Sequence, residues 1–72
     1  MKMTDIIDRI MSYEMGFMDD AETLKLFSEL ISNKMVWSMQ GHYGRTASAL
    51  IESGWIDSDG SITDKAYDND IL

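Results

Sequence analysis

The chain has 72 residues, a length that predicts one domain. Six Lys and Arg against thirteen Asp and Glu give a net charge of −7, which excludes a polyphosphate-binding module that depends on bulk positive charge. The absence of cysteine excludes disulfides and thiolate metal sites. A hydrophobic content of 44% excludes an intrinsically disordered chain.

Charge is distributed unevenly along the chain. Residues 1–34 carry seven acids and four bases, net −3, and residues 55–72 carry five acids and one base, net −4. Residues 35–54 carry one acid and one base. This neutral middle also holds Trp37 and Tyr43, so the least charged part of the chain is also the richest in aromatic residues.

Apolar periodicity predicts two helices in the first half of the chain. One apolar stripe predicts a helix at about 4–15, which Gly16 ends in a left-handed conformation. The stripe consists of Ile6, Ile7, Ile10, Met11 and Met15. Asp19 followed by Glu22 is typical of a capping box and predicts a second helix at about 20–33. The short connection predicts that these helices pack antiparallel as a hairpin.

The neutral middle allows two interpretations. Apolar residues keep a helical spacing through it, but Gly41 and Gly44 each weaken a helix by about 1 kcal/mol relative to alanine. One interpretation is a single weakened helix at 36–53. The other, which we favour, is a short helical turn at 36–40 followed by a helix at 43–53.

The last part of the chain predicts a small β-hairpin and a tail. Asp59-Gly60 is typical of a two-residue type I′ turn, with short strands on either side. We expect residues 64–72 to form an acidic, frayed tail, with one helical turn as an alternative. The predicted fold class is therefore mainly α: an antiparallel helical hairpin plus a third helix, with a small C-terminal β-hairpin, in one compact domain at 1–63.

No constellation of residues points to a reaction or a cofactor. His42 is the only histidine, and no carboxylate lies at helical spacing from it to complete a transition-metal site. The segment 57–64 has the turn residues of a calcium loop in the wrong register, because the sixth position from Asp57 is Ile62 rather than glycine. We therefore expect no metal, no cofactor and no enzyme activity.

The candidate binding residues are the aromatic and polar side chains of the neutral middle: Trp37, Gln40, His42, Tyr43 and Arg45. Tryptophan, tyrosine and arginine are the residue types enriched at interface hot spots. The competing interpretation is that Trp37 and Tyr43 fill the core of a small domain. Tyr13, Phe17 and Phe27 are assigned to the core.

Three segments carry a resemblance to a known group of proteins: Tyr13–Gly16, Leu26–Ile31 and Trp37–Ala47. Together they read YExG, LFxxLI and WxxQGHYGRTA, a pattern that resembles a group of small bacteriophage proteins. The resemblance spans about residues 6–56 and supplies no catalytic residue. It implies a phage-encoded protein that acts in the cytoplasm of a bacterial host, and the first residues lack the pattern of a secretory signal.

These observations predict an accessory protein that acts by stoichiometric binding of a host protein. Its acidic ends would steer it toward a basic surface, such as the nucleic-acid channel of an RNA polymerase or of a defence nuclease, which it would inhibit or modulate. We expect no direct nucleic-acid or membrane binding, and a homodimer is left open. The alternative is a winged-helix-like DNA-binding regulator with 55–63 as its wing, which the net charge of −7 disfavours.

Overall fold

The computed structural model describes the backbone of residues 3–71 and the side chains of residues 6–71. Over these residues the protein is mainly α-helical, which confirms the predicted class. The elements in chain order are α1 (Met3–Glu14), α2 (Asp20–Ser32), a 3₁₀ helix (Met35–Ser38), α3 (Gly41–Glu52) and α4 (Asp64–Asp68). Within residues 3–71 no helix is long and apolar enough to cross a membrane.

α1 ends at a glycine in the left-handed conformation, as predicted. Gly16 has a φ of +79°. The N–H of Phe17 donates to the C=O of Ser12 at 2.9 Å, and the N–H of Gly16 donates to the C=O of Tyr13 at 3.1 Å. These two bonds form a Schellman motif, in which carbonyls of the last turn accept hydrogen bonds. Gly54, with a φ of +83°, follows α3 in the same conformation.

α2 begins at the predicted capping box and supplies much of the core. The N–H of Glu22 donates to Oδ1 of Asp19 at 2.8 Å, and the N–H of Asp19 donates to Oε1 of Glu22 at 3.4 Å. The buried side chains of the helix are Leu24, Leu26, Phe27, Leu30 and Ile31. They cover a broad face, because several elements pack around this one helix.

α1 and α2 are joined by one ion pair and one ring contact. Nη1 of Arg9 lies 2.6 Å from Oε2 of Glu29. The ring of Tyr13 meets that of Phe27 edge-on, with centroids 5.4 Å apart and planes at 79°. Along α1 the ion pair comes before the ring contact, whereas along α2 the ring contact comes first.

The neutral middle divides into two helices, which confirms the favoured interpretation. Lys34, with a φ of +65°, turns the chain out of α2 into the 3₁₀ helix. Met39 and Gln40 are extended, with ψ of 176° and 152°, and separate that helix from α3. α3 begins at Gly41 rather than at the predicted residue 43, so both glycines of this segment lie in its first turn.

The predicted C-terminal β-hairpin is wrong. Residues 55–63 contain one antiparallel bridge, between Ile56 and Ile62, and no strand. The type I′ turn is wrong as well, because it requires a positive φ at both central residues. Gly60 has a φ of +97°, whereas Asp59 is not among the residues with positive φ. The N–H of Gly60 instead donates to the C=O of Asp57 at 2.9 Å.

The loop at 57–61 lies on α2, and this contact is the physical reason that no hairpin forms. Oγ of Ser28 donates to the C=O of Gly60, and Oγ of Ser32 donates to the C=O of Asp59 at 3.2 Å. Gly60 itself is buried. Backbone carbonyls at the tip of the loop are therefore satisfied by side chains of α2, which hold the tip against the helix and not in a free two-residue turn.

The segment assigned to an acidic tail contains α4, so the helical turn given as an alternative is present. Ala66 is fully buried, and Ile71 packs against the core. The N–H of Ile71 donates to the C=O of Ala66 at 3.0 Å, with Asp70 in the left-handed conformation at a φ of +57°. The folded domain therefore extends beyond residue 63.

Candidate functional site

The five predicted binding residues do not all lie on the surface. Trp37, Gln40, His42 and Arg45 are exposed, but Tyr43 retains only 1% of its accessible surface. Tyr43 is therefore a core residue, and the prediction that it belongs to an exposed binding surface is wrong. It lies four residues before Ala47, which is fully buried, so the two share the inner face of α3.

Tyr43 acts as a link between α3 and α1. Its ring centroid lies 5.8 Å from that of Tyr13 and 6.1 Å from that of Phe27. Its hydroxyl donates a hydrogen bond to the carboxylate of Glu14. Burial raises the pKa of Tyr43, and the hydrogen bond and the charge of Glu14 raise it further. The hydroxyl therefore stays protonated and keeps donating at any physiological pH.

His42 lies on the α1 side of α3. Its ring is nearly parallel to that of Tyr13, at 10°, with centroids 6.5 Å apart, and its centroid is 4.0 Å from that of Tyr43. The side chain as a whole is exposed. His42 therefore lies beside two tyrosine rings, as a stacked aromatic side chain does. Among the described residues no group of three or more His, Cys, Asp and Glu could hold a metal ion.

Trp37 lies on the other side of α3. A Cβ added at Gly44 would be 4.0 Å from Cε3 of the Trp37 ring, so the indole passes beside this glycine. Residues 42 and 44 are about 200° apart on a helix of 3.6 residues per turn. His42 and Trp37 consequently flank α3 on nearly opposite sides, and the predicted residues do not form one patch.

We call Trp37, Gln40 and Arg45 the Trp37 surface. All three are exposed and lie at or next to the N-terminal end of α3. The side chain of Arg45 extends back along α3 toward Gly41. Its Nη1 would lie 3.1 Å from a Cβ added at Gly41. Half of the tryptophan, 51%, remains accessible. The surface therefore offers a large apolar ring and a guanidinium group near the same end of α3.

Sequence reasoning missed a second exposed surface, on α1. Ile7, Met11 and Met15, which we call the α1 stripe, are exposed by 49%, 55% and 64%. Their spacing of four residues places them on one helix face. The N–H of Met15 donates to the C=O of Met11 at 3.0 Å, so the stripe continues through the last turn. Phe17, also assigned to the core, is 73% exposed, and that assignment is wrong.

A signal of this surface was present in the sequence. The apolar residues of α1 come in adjacent pairs, Ile6-Ile7 and Ile10-Met11, so they span an arc wider than one neighbouring helix covers. In the structure the inner member of each pair packs in or against the core and the outer member faces solvent. Treating the pairs as a single core stripe was therefore wrong.

Carboxylates border the α1 stripe on both sides. Asp8 and Glu14 are exposed, and they lie three residues before and three residues after Met11. Residues three apart are neighbours on a helix surface. The two carboxylates therefore flank Met11 from opposite sides of the stripe.

Two concave regions lie elsewhere among the described residues. A groove of about 580 Å³ is lined by Arg9, Met18, Glu22, Lys25, Ser28, Glu29 and Ile62. A smaller pocket of about 260 Å³ is lined by Asp20, Thr23, Leu24, Leu50, Trp55 and Ile71. The Arg9–Glu29 ion pair lies in the groove. No buried polar side chain between residues 6 and 71 lacks a hydrogen-bond partner, so none directs an unsatisfied group at a ligand.

Comparison with known proteins gives a family match. A family profile described as a domain of unknown function (DUF7417) matches residues 1–70, a range that includes all four α-helices, the Trp37 surface and the α1 stripe. No curated protein and no solved structure matches the chain.

Proposed function

We propose that this chain, which belongs to the family described as a domain of unknown function (DUF7417), acts by stoichiometric binding of another protein and not by catalysis. In this proposal it is a phage-encoded accessory protein in the cytoplasm of a bacterial host. It inhibits or modulates a host enzyme that processes nucleic acids. The Trp37 surface makes the specific contact.

The exposure of Trp37 carries this proposal. The 3₁₀ helix buries Val36 completely while it leaves 51% of the adjacent Trp37 accessible. A small domain gains stability by burying its largest apolar side chains, so a tryptophan left outside is better explained by a partner that covers it. Exposed tryptophan beside arginine is the composition of an interface hot spot.

The surface charge supports a basic partner. Asp57, Asp59, Asp64, Asp68 and Asp70 are exposed, and the net charge of the chain is −7. Such a field accelerates association with a basic surface and opposes association with an acidic one. The nucleic-acid channel of a polymerase or nuclease is a basic surface of this kind, which is why we propose an enzyme of that class.

Affinity purification from bacterial cells tests the proposal, with two exposed aromatic residues compared. We expect the tagged chain to recover one host protein at about one copy per copy. Trp37→Ala should reduce the recovery at least about tenfold, since hot-spot tryptophans contribute about 2 kcal/mol or more. Tyr67→Ala removes a ring of similar exposure, 57%, from α4 and should leave the recovery unchanged. Equal recovery with both variants would contradict the proposal.

A winged-helix-like DNA-binding regulator is the less favoured function. Residues 55–63 lie against α2 through Ser28 and Ser32 and do not project as a wing. The exposed face of α3 offers Arg45 and Glu52, whose charges cancel, whereas a DNA-binding helix needs several cations to neutralise phosphates. Retention of duplex DNA at moderate salt in a gel shift would reverse this choice.

A further inference from the structure

We propose that the α1 stripe is a second docking surface, and that its occupant is a basic amphipathic helix of a partner protein. The Trp37 surface lies on the far side of α3 from α1, so the inference goes beyond the function proposed above. It is carried by the exposure of Ile7, Met11 and Met15 and by the charges that border them.

The shape of the stripe fits another helix. Three apolar side chains at a spacing of four residues form one of the ridges along which helices pack. From Ile7 to Met15 the ridge is about 12 Å long at 1.5 Å per residue, which matches two to three turns of an occupant. Two of the three residues are methionines, whose unbranched side chains adapt to the surface that they meet.

The charge beside the stripe selects a basic occupant. Asp8 and Glu14 flank Met11, one on each side. The guanidinium of Arg9 is paired with Glu29 of α2. A helix with its own apolar stripe between lysines or arginines would therefore bury the three apolar side chains and pair its cations with both carboxylates.

A second copy of this chain fits the stripe poorly. Two α1 helices packed antiparallel about a two-fold axis at Met11 would place Ile7 opposite Met15 of the other copy. The same axis keeps each carboxylate on its own side of the stripe, so the two copies of Asp8 would share one border of the contact and the two copies of Glu14 the other, with like charges along both borders. An anionic membrane is disfavoured by the same two carboxylates, because helices that lie on such membranes carry Lys and Arg beside their apolar face.

Calorimetric titration of the full chain with a synthetic amphipathic helix of leucine and lysine tests the proposal. We expect one-to-one binding. A peptide of the same composition in scrambled order should bind at least about tenfold more weakly, and a leucine–glutamate peptide should not bind. Equal affinity for the ordered and scrambled peptides would overturn the proposal, since it would show that bulk charge alone attracts them.

Two pairs of variants separate local contact from bulk charge. Met11→Glu changes the net charge from −7 to −8, which strengthens purely electrostatic attraction, yet it should weaken binding at least about tenfold. Ser48→Glu adds the same charge on α3 and should not weaken binding. Asp8→Lys and Asp68→Lys both change the net charge from −7 to −5, and Asp8→Lys should weaken binding several-fold more. An equal effect within either pair would overturn the proposal.

Further controls exclude other occupants. Met11→Gln, which introduces no charge, should also weaken binding, and circular dichroism of every variant checks that it folds. Sedimentation that shows a dimer of the parent chain and a monomer of Met11→Glu would identify a second copy as the occupant and overturn the proposal. Binding of the parent chain, but not of Met11→Glu, to anionic vesicles would identify a membrane as the occupant and also overturn it. Trp37→Ala should leave the affinity for the peptide unchanged. The test of the α1 stripe is therefore independent of the test of the Trp37 surface.

Discussion

The hydroxyl of Tyr43 donates a hydrogen bond to the carboxylate of Glu14, and this bond joins the first turn of α3 to the last turn of α1. Tyr43 is buried whereas Glu14 is exposed. The ring thus belongs to the core and its polar tip reaches the solvent boundary. The bond also fixes one of the two carboxylates that flank Met11, so it connects core packing to the border of the α1 stripe.

Stability at alkaline pH should report the environment of Tyr43. The pKa of Tyr43 is raised above its ordinary value of 10.0 by burial, then by the hydrogen bond and charge of Glu14. The folded protein therefore holds a proton that the unfolded chain loses above pH 10, and the resulting stabilisation is complete below that pH and declines above it. We expect the free energy of unfolding in urea to fall above about pH 10, and Tyr43→Phe to remove this component.

Tyr67→Phe is the control for this pH dependence. Tyr67 is exposed on α4, and the variant should keep the profile of the parent chain. At neutral pH, Tyr43→Phe should lower the free energy of unfolding by about 1–2 kcal/mol, since it removes one hydrogen bond to a charged group. Identical alkaline profiles for Tyr43→Phe and the parent chain would contradict the assignment.

Gly60→Ala should destabilise the fold far more than Gly16→Ala. A Cβ at Gly60 would lie 2.1 Å from Oγ of Ser32 and 2.7 Å from the C=O of Ser28, where the helix backbone cannot yield. A Cβ at Gly16 meets nothing within 4 Å, although its φ is also positive. We expect losses of about 3 kcal/mol or more for Gly60→Ala and about 1–2 kcal/mol for Gly16→Ala in urea unfolding. Similar losses would show that the loop moves away from α2 without cost.

Lys34→Gly should stabilise the protein. Lys34 adopts a φ of +65°, a conformation that glycine enters without a Cβ penalty. We expect the free energy of unfolding to rise by about 0.5–1 kcal/mol. Lys25→Gly makes the same change at an exposed position inside α2 and should lower the free energy of unfolding by about 1 kcal/mol. Thermal unfolding of the two variants should shift in opposite directions, and a shift in the same direction would be inconsistent with the left-handed geometry.

Gly44→Ala should also stabilise the protein, at a position beside the Trp37 surface. Gly44 is inside α3, and its new Cβ would meet only Cε3 of Trp37, at 4.0 Å, an ordinary contact. We expect a gain of about 0.5–1 kcal/mol from helix propensity. Gly41→Ala should gain less, because the guanidinium of Arg45 must shift from 3.1 Å. A loss of stability for Gly44→Ala would mean that Trp37 packs more tightly there than the structure shows.

Local chemistry was sufficient to predict several elements. The capping box at Asp19 and Glu22 and the left-handed Gly16 depend on residues close in sequence, and each was predicted correctly. The same holds for the break between the 3₁₀ helix and α3, where Gly41 disfavours a continuous helix. Such signals do not depend on which elements pack together.

The errors come from packing between distant segments. Apolar spacing identifies which residues could be buried, but only tertiary contacts decide that Tyr43 is covered and Met11 is not. The loop at 57–61 was predicted as a hairpin because its sequence favours turns. Nothing local indicated that Ser28 and Ser32 of α2 would donate hydrogen bonds to that loop.

The packing of residues 55–71 into the common core has a consequence for synthesis on the ribosome. Ile56 and Ala66, both buried, are translated after the three α-helices and the 3₁₀ helix whose core they complete. Until they emerge, the nascent polypeptide presents an open apolar side to chaperones and proteases. A premature stop codon before Ile56 should therefore yield a product that cells degrade rapidly, although it would retain α2 and α3.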